Sequence, residues 1–517
     1  MLVAAAFVAA SPATAAEESG QEPAAAEPFD IGEFRVLGNS VLPPIEIERA
    51  VYPHMGPGRT IQDVEAARVA LEQAYRNRGF NTVFIDIPEQ DVNEGVVRLK
   101  VTEGRIERLH VTGARYFSGR KIRAALPSVQ PGTVPQFPDL QRELQSLSRE
   151  ARDRELTPVL RSGRTPGTVE LEIKVKDQLP LHGGIDVNDR YTADTTRTRV
   201  GLNLSYDNLW NRGDSFSLQY QTAPEAPDEV DVLAGTYVTR LGDSGNMLAL
   251  YAVDSASDVA TIGTLSVLGG GRVFGARLIV PIAAAPGLNQ SFTLGADFKD
   301  FNEKIRLEDQ TPETPIRYAS LSAQYAGGWT ALRRQTSFGL GATLGLRNLA
   351  DDDEAFNFKR FNSRPNFFYL RGNLMHLERL PFGAALALRL AGQYTDQALV
   401  SNEQFSLGGV DSVRGYLESE QLGEIGVAAS LELRSPPFFR AGPTGGLQLI
   451  TFWDGGFVRV LDALGQASRS DLASVGAGMR FSGWGMDAAL DWAYPLVPGN
   501  RTLTGDSRLH FSIHYGF

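Results

Sequence analysis

Arg508 to Phe517 reads RLHFSIHYGF. In an extended strand successive side chains point to opposite faces. Leu509, Phe511, Ile513, Tyr515 and Phe517 therefore share one face, and Arg508, His510, Ser512 and His514 share the other. Such a strand suits a wall with hydrocarbon on one side and a wet lumen on the other. The same period recurs upstream. Arg199 to Asp207 sets Val200, Leu202, Leu204 and Tyr206 against Gly201, Asn203 and Ser205, and Phe338 to Arg347 sets Phe338, Leu340, Ala342, Leu344 and Leu346 against Gly339, Gly341, Thr343 and Arg347. A soluble sandwich can alternate in this way, but not in one unbroken series from 179 to 517 with aromatic strand ends. The pattern predicts an antiparallel transmembrane β-barrel of about sixteen strands, an even number as bacterial barrels require. No helix is expected between Leu181 and Phe517.

The connections alternate in length. Asn208–Gly213, Leu241–Gly245, Gly328–Arg333 and Glu378–Phe382 read as short turns, and Phe301–Ile316, Asn348–Arg364 and Thr395–Leu422 as long polar loops. Short turns face the periplasm and long loops face outward. The longest loop is assigned to 396–422.

Composition sets limits on function. The 517 residues include no cysteine, so disulfides, Cys-ligated zinc, iron–sulfur clusters and thiol catalysis are excluded. Asp and Glu outnumber Lys and Arg by 61 to 50, for a net charge of −11, which argues against nucleic acid as a partner. Residues 1–16, MLVAAAFVAASPATAA, form an apolar run ending in small residues, as an export signal does, with cleavage expected near Ala13-Thr14-Ala15. Residues 17–28 are acidic and rich in Pro and Ala, which predicts a flexible linker. Export without cysteine points to a Gram-negative periplasm or outer membrane.

Between linker and barrel, one order of elements occurs twice, and a repeat of this kind signals tandem units. Phe34–Asn39 reads as a strand with a Gly-Asn turn, Pro44–Val51 and Ile61–Arg78 as helices, and Thr82–Ile87 and Val96–Val101 as strands. In the longer helix Val64, Ala67, Leu71, Ala74 and Tyr75 recur at three- and four-residue spacing, with Thr60 as cap and Gly79 as stop. Ile106–Gly113, Ser118–Leu126, Phe137–Arg149, Leu156–Leu160 and Val169–Val175 repeat the order, and FRVLGN answers LHVTGA. Two α+β modules are thus expected, at 29–104 and 105–178. A small sheet of this kind keeps an open edge, to which an extended polypeptide can add as a strand.

The longest loop carries Gln404-Phe405-Ser406-Leu407-Gly408-Gly409 and then Val413-Arg414-Gly415-Tyr416; Phe452-Trp453-Asp454-Gly455-Gly456 follows. Parity over Leu447–Asp454 puts Leu447, Leu449, Thr451 and Trp453 on the lipid face and Gln448, Ile450, Phe452 and Asp454 on the lumen face. A loop folded into the lumen could therefore bring Arg414 to Asp454 as a water-shielded, bidentate pair. Gly415 would let the loop turn beside the wall, and Phe452 and Tyr416 could pack around the pair.

The two repeats resemble polypeptide-transport-associated (POTRA) domains. The VRGY and F-x-D-x-G phrases, with Gly456 closing the second, resemble two hallmarks of the POTRA-plus-barrel superfamily. The terminal Tyr515 and Phe517 resemble the C-terminal signal read by the barrel-assembly machinery. Two POTRA-like modules with about sixteen strands resemble the two-partner secretion transporters of the haemolysin secretion/activation type. RTPGTVELEIKVKDQLPLHGG (164–184) and SYDNLWNRGDSFSL (205–218) agree with this. The resemblance implies an outer-membrane pore, with its POTRA modules in the periplasm, that captures and secretes one cognate exoprotein without ATP. The partners implied are that exoprotein, the lipid of the outer membrane and the assembly machinery. A monomer is expected, with no cofactor, no catalytic set and no metal. The alternative within the superfamily is an insertase that assembles other barrels. Some relatives carry a plug helix ahead of the first POTRA module; the linker here has no amphipathic period, so none is expected.

The remaining clusters read blandly. His510 and His514 lie about 13 Å apart along a strand, too far to share a metal. Asp351-Asp352-Asp353-Glu354 reads as an acidic outer loop and not a calcium site. The glycine clusters never complete G-x-G-x-x-G.

Overall fold

A computed structural model describes residues 28–517, apart from 93, 194, 243, 258, 263–264, 269, 283–284, 286, 305–312, 442–444 and 466. The expected export signal and all but the last residue of the linker lie outside the described residues. The chain divides into two compact units, one ending at Gln178 and one beginning at Leu179.

The first unit holds two three-stranded sheets of the same topology. One is made of Glu33–Leu37, Val83–Asp86 and Val96–Glu103, the other of Arg105–Thr112, Arg154–Ser162 and Thr168–Asp177. In each, the last strand lies in the middle, parallel to the first and antiparallel to the second. Helices Pro44–Val51 and Ile61–Asn77 accompany the first sheet, and Gly119–Ala124 and Phe137–Glu150 the second. Thr60 and Asp63 form a reciprocal capping box at the longest helix. That helix buries Val64, Ala67, Leu71 and Tyr75 in one core with Val97, Leu99 and Val101. The repeated V-x-G phrase has a physical cause. Gly38 and Gly113 leave the first strand of each sheet with φ of 91° and 82°. A Cβ there would come within 2.3 Å of the carbonyl oxygens of Val101 and Val175 respectively. Only glycine fits both the turn and the close approach. A short antiparallel pair, Phe29–Ile31 with Gly56–Arg59, was not apparent in the sequence.

The second unit is a closed antiparallel barrel. Its long strands are β1 (Leu181–Asn188), β2 (Arg199–Leu209), β3 (Asp214–Thr222), β4 (Asp231–Leu241), β5 (Asn246–Ser255), β6 (Gly271–Ile282), β7 (Leu288–Lys304), β8 (Glu313–Thr330), β9 (Arg334–Ala350) and β10 (Phe368–Arg379). The wall continues through β11 (Ala385–Tyr394), β12 (Ile425–Arg434), β13 (Gly445–Arg459), β14 (Arg469–Gly483), β15 (Met486–Pro495) and β16 (Arg508–Gly516). Sixteen strands close the wall, as the period-two reading predicted; the three-residue strand Phe439–Ala441 adds a further pairing on β13. Leu202, Leu204, Leu340, Leu344, Leu449, Trp453, Leu509, Ile513 and Tyr515 are exposed on the outer face, where lipid replaces water. No helix among the described residues is long and apolar enough to cross a membrane. Closure joins Ser512–Gly516 of β16 to Asn188–Gly184 of β1. One position further, Phe517 and Gly183 exchange two backbone hydrogen bonds, of 3.0 and 3.1 Å.

Two expectations need correction. The barrel region does contain a helix, Asp353–Lys359, in the β9–β10 loop, with Asp352 accepting the Ala355 amide at its N-cap. The acidic run read as plain loop is thus a cap and first turn. At seven residues it is too short to show an apolar period. The long loop expected at Phe301–Ile316 is strand at both ends, since β7 runs to Lys304 and β8 starts at Glu313. β7, β8 and β9 have 17, 18 and 17 residues, well beyond a span of about ten. Their polar residues had made them look like loop. Their outer ends wall a buried cluster with Phe301, Ile316, Tyr318, Phe356, Phe367, Leu399 and Val400.

Candidate functional site: the loop inside the barrel

Between β11 and β12 the chain folds back into the lumen. Its stem is a short hairpin, Phe405–Leu407 against Gln421–Gly423. Near the outer mouth, Glu403 is buried and accepts from Lys299 Nζ (2.5 Å), Tyr318 OH (2.6 Å) and Tyr369 OH (2.8 Å). Glu424, fully buried, accepts from Arg360 Nε of the β9–β10 loop and from the Leu461 amide of the β13–β14 loop. The loop is therefore tied to the wall and to two neighbouring outer loops.

Deeper in the lumen lies Arg414, 1% exposed. Its Nε and Nη2 donate to the two oxygens of Asp454 at 2.7 and 3.0 Å, the bidentate geometry expected from parity. Its own backbone amide also donates to Asp454, at 3.1 Å. The Phe452 ring lies beneath the guanidinium, 3.4 Å from Cζ to the ring centroid, a cation–π contact in a site shielded from water. The pair is part of a wider network. Arg414 Nη1 reaches Glu432 on β12 at 2.9 Å and Asp491 on β15 at 3.4 Å. Arg480 on β14 takes both oxygens of Asp491, at 2.6 and 2.7 Å, and Arg434 donates to Glu432 at 2.8 Å. Each buried charge here has an opposite partner, which a low-dielectric site demands.

The other motif residues seat the loop. Val413 and Tyr416 are fully buried with Leu407, Val458 and Leu472. The Tyr416 hydroxyl lies within hydrogen-bond distance of the carbonyls of Ala473 (2.9 Å) and Val497 (2.6 Å), which share its one proton. Gly415 has φ of 93° and donates its amide to His510 Nε2 on β16 at 3.0 Å. A Cβ on Gly456 would lie 2.4 Å from the Val427 carbonyl oxygen and 2.7 Å from Leu407 Cδ1, so this wall glycine makes room for the stem. Tyr515 faces outward and Phe517 closes the seam, both apart from the Arg414 network. Tyr416→Phe should remove the single donor that these buried carbonyls share, a loss of about 1–3 kcal/mol. Limited proteolysis within 405–423 should quicken while the barrel's heat-modifiable mobility stays unchanged.

Sequence reasoning missed Glu432, Asp491, Arg434, Arg480 and His510. A usable signal was present: each is a charged or titratable residue on the lumen parity of a barrel strand. His510 was set aside as a metal ligand, and what it does in the structure is accept the loop's amide.

The sequence profile of the haemolysin secretion/activation proteins ShlB/FhaC/HecB matches residues 167–481, more than half of the chain, and that of the ShlB-type POTRA domain matches 29–104. The chain belongs to this family. It is an outer-membrane transporter of two-partner secretion, with POTRA modules on the periplasmic side. The transporter is 23% identical over 478 residues to the haem/hemopexin transporter protein HuxB of Haemophilus influenzae, covering 88% of this chain and 81% of that one. It is 22% identical over 392 residues to the outer membrane transporter CdiB of Dickeya dadantii, covering 68% and 62%. Among solved structures, CdiB from Escherichia coli superposes with a TM-score of 0.61 at 18% identity, over 97% of this chain and 93% of that one. BamA from Haemophilus ducreyi lacking POTRA domains 1–3 gives 0.61 at 13% identity, over 95% and 100%. These two likenesses concern the fold.

Proposed function

We propose that the transporter exports a single cognate exoprotein as an unfolded chain, and that the Arg414-bearing loop is its gate. Modules at 29–104 and 105–178 receive the substrate. Strand addition to an exposed sheet edge supplies main-chain hydrogen bonds without demanding one sequence; the nine-residue edge strand Arg154–Ser162 offers the longest such edge. The observation that carries the gate is the burial of Arg414 against three carboxylates of the wall, since a chain in transit must cross the space that this loop occupies. Opening separates charges that a water-filled pore rehydrates, so the net cost of release is far below that of breaking the same pairs in a dry core. No ATP enters this scheme, and folding of the substrate outside supplies direction. The chain works as a monomer without catalysis or cofactor, in contact with outer-membrane lipid; Tyr515 and Phe517 address it to the barrel-assembly machinery during biogenesis.

Coexpression with a candidate large exoprotein tests this reading. The exoprotein is expected in the medium only when the transporter is present, with the other outer-membrane proteins at normal levels. Depletion of those proteins on deletion would favour the insertase, whose lateral opening would have to use the short β1–β16 seam.

A further inference from the structure

On the periplasmic side of Arg414 the lumen wall encloses a cavity of about 300 Å³. It lies there because β12 runs from Ile425 at the outer mouth down to Arg434, and Arg480 is near the inner end of β14 at Gly483. Gln335, Met375, Arg389, Arg434 and Arg480 are among its lining residues.

The charges around it do not balance. Arg414, Arg434 and Arg480 share Glu432, Asp454 and Asp491 through the contacts given above, and Arg389 joins them through Ser430. Four guanidiniums thus meet three carboxylates through these contacts; Asp411, the further carboxylate near Arg389, is held by Arg190 at 2.6 Å. The surplus falls on Arg389. Among the described residues its one hydrogen bond runs from Nη2 to Ser430 Oγ at 3.5 Å, the long limit of such a bond. The same hydroxyl takes Arg414 Nη2 at 3.4 Å. Arg389 is directly opposite Met375 on β10 and Ser430 on β12, neither of which carries charge. A half-buried, underused guanidinium beside an open cavity is a site for one monoanion, and the planar fork of Arg matches a carboxylate.

We propose that this cavity is a carboxylate-binding subsite, which takes an Asp or Glu side chain of the exoprotein as the unfolded chain rises from the periplasm, with Arg389 as the receiving cation. The inference rests on the secretion reading and adds to it a chemical preference for acidic segments at the step before the gate. A carboxylate held on Arg389 lies against Ser430, in contact range of the group that also touches Arg414. The substrate's first charge contact and the gate thereby share one hydroxyl.

The test uses the full chain in detergent micelles, with fluorescently labelled hexaglutamate and hexalysine as probes and anisotropy as the readout. Hexaglutamate should bind saturably and more weakly as salt rises, and hexalysine should not bind. Arg389→Gln should weaken hexaglutamate by roughly tenfold or more, as loss of a charge-assisted bond predicts, and Arg389→Lys should keep part of the affinity. Met375→Glu places an internal carboxylate across from Arg389 and should abolish binding; it covers the case in which Arg389→Gln fails to give a heat-modifiable barrel. Unchanged affinity in Arg389→Gln or in Met375→Glu, or equal binding of hexalysine, would overturn the proposal. Failure of the coexpression experiment with hexaglutamate binding intact would sink the secretion reading and leave the subsite standing. Normal export with binding indifferent to both variants would do the reverse.

Discussion

Arg414→Ala should nearly abolish export while leaving the amount of folded barrel in the outer membrane close to normal. Among the described residues, the Asp454 carboxylate accepts only from Arg414, twice from its guanidinium and once from its backbone amide. Removing the guanidinium leaves a fully buried carboxylate without its counter-charge, at a cost of roughly 3–5 kcal/mol. That corresponds to roughly two to four powers of ten in the ratio of seated to unseated loop. The wall keeps its backbone ladder, so the barrel itself should survive. Asp454→Ala should be milder, because Arg414 retains Glu432 and Asp491. The double variant should be little worse than Arg414→Ala alone, since residues in direct contact do not contribute additively. A double-mutant cycle on secreted yield, normalised to heat-modifiable barrel, checks this. Additive defects would disprove the coupling, and normal export from Arg414→Ala would disprove the gate.

Deletion of Phe29–Gly104 should eliminate export just as completely, by another route. The residues removed carry their own core, built around Leu71, Tyr75, Leu99 and Val101, which shares no residue with the clusters of the barrel. The barrel should therefore still appear heat-modifiable in the outer membrane, with exoprotein retained in the periplasm. Loss of the barrel from the membrane would contradict this division of labour, and continued secretion would remove the first module from substrate capture.

What the sequence disclosed followed period and parity. Alternation in Arg508–Phe517 and in Leu447–Asp454 was enough to assign lipid and lumen faces, and from these the meeting of Arg414 with Asp454. Helix 61–77 was legible because its apolar positions recur over several turns and a capping box precedes it. Lumen parity marked the other charges as candidates, but which of them meet Arg414 was not legible. Glu432 and Asp491 meet Arg414 only because β12, β13 and β15 take the registers that they do, and register between distant strands leaves no trace in any one of them. The polar outer ends of β7, β8 and β9 were mistaken for loop for a related reason. There the lumen side is packed by other loops and the strands have risen out of the hydrocarbon, so the alternation that marks a membrane strand lapses while the hydrogen-bonded ladder goes on.

The seam has a practical consequence for labelling. Phe517 takes part in closure, because it shares two backbone hydrogen bonds with Gly183 and its ring lies where a Cβ on Gly183 would be. An affinity tag or fluorophore fused directly after Phe517 would load the closing joint of the cylinder. Leu464, 71% exposed in the β13–β14 loop, is the better place for an epitope, and one inserted there should report surface display on intact cells without touching the joint.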